Sequence, residues 1–129
     1  MTDPTDYTAA FLEKAYEALD TARLTSDNGH QSAAINRAYY AAFYAASAAL
    51  YRSGEAPRSH KGVRTRFYER YVRSGRLDQP TAAILSVAEE ARRNADYDAF
   101  TDFDRDAALD LVADVERFVS AVEDLLRVR

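Results

Sequence analysis

The sequence predicts an all-α fold, an up-and-down bundle of four to five helices. Three observations carry this. Between a few turn clusters the chain is alanine-rich, with apolar residues spaced three and four apart. No segment alternates as a half-buried strand would. Its four glycines and three prolines fall mostly where a bundle needs breaks, at 26–29, 53–57 and 74–80.

The elements follow in order. A short disordered start, residues 1–4, precedes a first helix over about 5–24, with Phe11, Ala15, Ala18, Leu19 and Ala22 inward. The second helix, about 30–52, has an inner stripe of Ile35, Tyr39, Ala42, Ala46 and Leu50, while Tyr40, Phe43 and Tyr44 cover other faces. A helix apolar nearly all round belongs in the middle. Its nine alanines between Ala33 and Ala49 let neighbouring backbones approach, in a bundle or in a bundle plus a dimer seam. The third helix, about 59–74, is capped by Ser59 and turns Val63, Phe67 and Tyr71 inward. The fourth starts near Pro80 with Ile84, Leu85, Ala88, Ala91 and Ala95 inside. The fifth, about 104–126, carries Ala108, Leu111, Val112, Val115, Phe118, Val119, Val122 and Leu126 inward.

Composition narrows the function classes. The chain is one domain, 1–129. It has no cysteine, so disulfides, thiolate metal sites and a cysteine nucleophile are excluded. With two histidines a multi-histidine zinc site is not expected, nor is any cofactor. No apolar run reaches membrane-spanning length, and the acidic, polar start does not suit a signal peptide. A cytoplasmic protein is expected. The net charge of −4 conceals an uneven distribution: residues 52–76 hold eight basic and two acidic side chains. That block suits an anionic partner or is a solvated arginine-rich face.

One arginine lies on an apolar face. Arg92 follows Ala88 by four and Leu85 by seven, so it points inward. Arg93 follows Glu89 by four and is explained by a solvated Glu89–Arg93 pair. An inward guanidinium needs partners. Asp96 is one turn on, and Asn36 and Tyr40 can supply polar contacts from the second helix. Such a cluster is either a register-setting polar network or a ligand site.

These residues also resemble a known family. Asn36-Arg37-Ala38-Tyr39-Tyr40, then Ser59-His60-Lys61-Gly62-Val63, then Arg92-Arg93-Asn94-Ala95-Asp96-Tyr97 resemble, in this order, elements of a poorly characterised prokaryotic branch of the HEPN family. The resemblance covers about residues 7–126. It implies a helical bundle that dimerises, RNA or nucleotide as ligand, a toxin-type role, and a minimal nucleotidyltransferase as partner. It also implies candidate catalytic residues Arg92 and His60 and candidate substrate-binding residues Asn36, Tyr40, Arg93, Asn94, Asp96 and Tyr97.

The chain departs from the family's ribonuclease pattern, in which a histidine follows the arginine. No histidine follows His60. If Arg93 is aligned, Asp98 stands in its place and Phe100 in that of a following tyrosine, whose hydroxyl it cannot supply; if Arg92 is aligned, Tyr97 stands in the histidine's place. Imidazole suits 2′-hydroxyl deprotonation because it titrates near neutrality. His60 is the one substitute available; its other role is a polar contact to backbone at a helix start. His30 is expected to be exposed. The competing reading of the whole is a non-enzymatic dimeric scaffold with a buried polar network.

Overall fold

The computed structural model describes residues 4–100 and 103–127. Five α-helices form an all-α bundle: α1 (Pro4–Asp27), α2 (Gln31–Arg52), α3 (His60–Phe67), α4 (Gln79–Tyr97) and α5 (Arg105–Arg127). Residues 1–3 of the expected disordered start lie outside the described residues, and α1 already begins at Pro4.

The alanine-rich sequence makes α2 the axis. It packs against α1, α3, α4 and α5. Ala34, Ala38, Ala41, Ala42, Ala45, Ala46, Ala48 and Ala49 are fully buried within the one chain, so these alanines are consumed by the bundle. All eight residues expected on the inner stripe of α5 are buried. Tyr39, Phe67, Tyr71 and Phe118 supply the largest buried side chains, with the Phe67 and Phe118 rings 5.7 Å apart.

The breaks have local causes. Gly29 and Gly54, at φ +83° and +85°, take the left-handed conformation that ends α1 and α2 with backbone bonds to Ser26 O (3.0 Å) and Tyr51 O (3.0 Å). Ser59 caps α3 by accepting from Gly62 N (2.9 Å), as expected. Asp78 caps α4 by accepting from Thr81 N, and Asp104 accepts from Ala107 N (2.7 Å) at the start of α5.

The third helix is not one α-helix to residue 74. It ends at Phe67 and continues as a π turn over Tyr68–Val72, closed by Arg73 N donating to Tyr68 O (2.9 Å). In this turn Tyr71 is buried, and its hydroxyl donates to Ala49 O (2.7 Å) and meets Ser53 Oγ. The wider turn thus accompanies a side chain that ties it to the end of α2. The fourth helix runs to Tyr97, beyond the point where the helical spacing fades, so Asp96 and Tyr97 stand on its last turn.

Candidate functional site

Three helix segments converge. The first half of α2 supplies Asn36, Arg37, Tyr39, Tyr40 and Phe43; the start of α3 supplies His60 and Arg64; the end of α4 supplies Glu89, Arg92, Arg93, Asp96 and Tyr97.

Arg92 points inward, as its spacing predicts. Its side chain is 13% exposed, and its guanidinium lies over the fully buried Tyr39 ring, 4.9 Å from the centroid. Nη1 donates to Asp96 Oδ2 (3.3 Å), while the buried Nε has no partner. Burial works against its charge, but the Tyr97 hydroxyl and the Asp96 carboxylate more than offset this and push its pKa up. Tyr97, although 79% exposed, thereby belongs to the Arg92 environment.

Asp96 is shared across the bundle. Asn36 Nδ2 donates to its Oδ2 (3.2 Å), so Asn36 and Arg92 hold one carboxylate from two helices. Asn36 Oδ1 in turn accepts from Arg37 Nε (3.2 Å) and Nη2 (2.9 Å), and the Arg37 guanidinium lies 4.9 Å from the Tyr40 centroid. The expected contacts of Asn36, Asp96 and Arg92 therefore form one network. Tyr40 joins it through aromatic packing, edge-on to Tyr39 and His60.

Among the described residues the His60 side chain makes no bond to backbone, which corrects the helix-start expectation. Its Nδ1 lies 2.6 Å from the Tyr39 hydroxyl, and its ring stacks on Phe43 at 4.4 Å. Desolvation, then the charges of Arg92 and Arg64, lower its pKa from the usual 6.5. Burial also raises the Tyr39 phenol to about 12, against the opposing effect of Arg92. Arg92 and His60 thus share a neighbour, Tyr39, whose spacing predicted only a core role.

Arg93 and Asn94 stand apart. Arg93 is mostly exposed and pairs with Glu89 (3.5 Å), as its spacing predicts. Glu89, however, is not on a solvated face: it is 6% exposed and also pairs with Arg64. The Arg64 side chain, reaching from α3, covers it. Among the described residues, no side-chain bond ties Asn94 to the network, and its carbonyl accepts from Asp98 N (3.1 Å). Phe100 is 97% exposed, and Asp98 accepts from Phe100 N (2.9 Å). His30 is exposed at the start of α2 and caps nothing with its side chain.

The basic block is partly neutralised. Arg66 pairs with Glu55 and Glu69, Arg70 pairs with Glu55, and Arg64 pairs with Glu89. The sequence reading missed Tyr39, Arg64 and Glu89. The four-residue step from His60 to Arg64 was the available signal that both lie on one face of α3. A separate cleft of about 200 Å³ lies between the π turn and α4, lined by Phe67, Tyr68, Val72, Ala82 and Leu85 with Arg64 at its edge. It is mainly apolar and lies beyond the polar network. Among the described residues no group of three or more acidic or histidine side chains could hold a metal, and no helix is long and apolar enough to cross a membrane.

The HEPN domain model matches residues 8–125. A UPF0332 protein of Thermotoga maritima is 32% identical over 113 residues, 88% of this chain and 86% of the relative. A Methanocaldococcus jannaschii protein named "Putative toxin" is 29% identical over 118 residues, 92% and 87% of the two chains. A UPF0332 protein of Gloeobacter violaceus is 29% identical over 116 residues, 89% and 92%.

Proposed function

Because the chain belongs to the HEPN domain family, we propose that it is an RNA- or nucleotide-binding module of the toxin type, acting in the cytoplasm as a homodimer beside a minimal nucleotidyltransferase. The observation that supports this reading is Arg92. Its guanidinium is charged, four-fifths or more buried, fixed on one side by Asp96, and retains an unpartnered Nε. A largely buried cation held by a single carboxylate attracts an anion at its remaining exposed edge, and a phosphate is the anion RNA and nucleotides share. Asn36 and Asp96 position Arg92; Tyr40 and Tyr97 are the aromatic groups beside it, suited to an unpaired base. Arg93 and Asn94, lying outside the network, are assigned to the approach surface. Binding rather than cleavage is proposed, because no histidine follows Arg92.

Titration of fluorescent single-stranded RNA tests this. Two or three phosphates neutralised correspond to a slope of about −1.4 to −2 in log K against log salt. Arg92→Ala should weaken binding at every salt concentration. No binding at low salt, or identical binding by Arg92→Ala, would refute the reading.

A second reading is favoured by the ion pairs that neutralise the basic block: the network sets helix register in a non-enzymatic scaffold that holds a partner. It predicts that Arg92→Met with Asp96→Leu folds normally and leaves partner capture and RNA affinity unchanged, since hydrophobic replacement of a buried pair is often neutral or stabilising.

A further inference from the structure

The contact between Tyr39 and His60 determines which ring nitrogen carries the hydrogen. Tyr39 is fully buried, and among the described residues the only hydrogen-bond partner of its hydroxyl is His60 Nδ1, at 2.6 Å. A buried O–H must donate somewhere, because leaving it unpaired costs more than leaving an oxygen lone pair unused. If Nδ1 bore the hydrogen, two donors would face each other or the phenol hydrogen would have no acceptor. Nδ1 is therefore the acceptor. In the neutral ring the hydrogen must then sit on Nε2. Among the described residues Nε2 has no partner, and it is not among the buried unpartnered atoms, so it meets solvent. The stack on Phe43 holds the ring plane, and Arg92 and Arg64 oppose a second proton.

We infer that Tyr39 is a positioning residue that locks His60 in the Nε2–H form, so that His60 offers a hydrogen-bond donor to a phosphate and not a base to a 2′-hydroxyl. This rests on the proposed RNA or nucleotide site for the identity of the acceptor, but not for the tautomer. It reassigns the candidate catalytic histidine: the nitrogen facing water already holds a hydrogen, and the nitrogen that accepts is occupied by a buried phenol.

Long-range proton–nitrogen correlation spectra of the full-length ¹⁵N-labelled chain test this directly. The two histidines are told apart with His60→Gln. Above its titration midpoint, wild-type His60 should give the Nε2–H pattern. Tyr39→Phe should produce a mixture of tautomers and move the midpoint upward. Addition of a short single-stranded RNA should shift the His60 Nε2 signal. A wild-type Nδ1–H pattern overturns the inference whatever Tyr39→Phe does. An unchanged tautomer in a folded Tyr39→Phe overturns the role of Tyr39. RNA that binds by anisotropy without moving His60 overturns the donor role and leaves the proposed function standing. RNA that fails to bind while the Nε2–H pattern holds overturns the proposed function and leaves the tautomer lock standing.

Discussion

Glu89 offers the sharpest test of how α3 and α4 are held together. Its carboxylate is 8% exposed and is gripped by Arg64, whose side chain is 30% exposed, and by Arg93, which is 62% exposed. Hydrogen bonds to charged groups contribute about 1.5–3 kcal/mol each when shielded. The Arg93 contact, largely in solvent, belongs with surface pairs at about 0–1 kcal/mol. Glu89→Gln keeps an acceptor but removes the charge, so the expected loss is about 1.5–2.5 kcal/mol, mostly through Arg64. For a chain of this length that corresponds to a fall in Tm of about 5–12 °C. Arg64→Met should cost at least as much, because it leaves a nearly buried carboxylate with only an exposed partner. Arg93→Ala should cost less than about 1 kcal/mol. Glu89→Leu with Arg64→Met should recover much of the loss, since both charges leave together. Urea unfolding of the four variants measures this order from the midpoints at constant slope. The reasoning fails if Arg93→Ala matches Arg64→Met, or if the double variant is less stable than Arg64→Met alone.

Three further outcomes follow from the same structure. A Cβ on Gly62 would lie 2.9 Å from Ser59 Oγ and 3.4 Å from Pro57 Cβ, so Gly62→Ala should displace the cap, a loss of about 1 kcal/mol that alanine's helix propensity largely offsets, whereas Ser59→Ala should show the loss of about 1 kcal/mol in full. The pair combined should cost less than the sum in denaturant titration, because one interaction is lost twice. Phe118→Ala, removing a fully buried ring that packs on Phe67, should cost about 3–5 kcal/mol by calorimetry. His60 has a folded pKa below its ordinary 6.5, so the unfolded chain takes up the proton first. Its contribution is present above pH 6.5 and is lost as pH falls through the folded value. Unfolding free energies from pH 7.5 to 5 should therefore fall more for the wild type than for His60→Gln, and parallel curves would contradict the assigned environment.

The helices were legible because their signals are local and repeated. The stripe of α5 reads residue for residue, and Ser59, Pro80 and the glycines mark ends that the backbone confirms. Arg92 was legible as well, since one cation at an apolar spacing stands out, and Asp96 and Asn36 join it across the bundle. What escaped depends on contacts distant in sequence. Glu89 is buried and paired with Arg64 of α3, 25 residues away, whereas periodicity within α4 alone places it with Glu90 in solvent. The partner of His60 is 21 residues away, beyond any helical rule. The π turn escaped because the inward residues Val63, Phe67 and Tyr71 keep a four-residue step that an α-helix satisfies equally well. The basic block was counted by composition, whereas its potential depends on which arginines find Glu55, Glu69 and Glu89.

The methyl groups along α2 act as a gauge. Each fixes how near a neighbouring rod can lie, and the same short side chains serve several neighbours at once. A larger group at Ala45 would wedge the assembly apart on a central axis, where relief on one flank tightens another. Innovation in such an architecture is therefore confined to its outer surfaces and helix tips, where Arg37, Tyr97 and the Ser59–Gly62 corner can change without resetting the distance between any two rods.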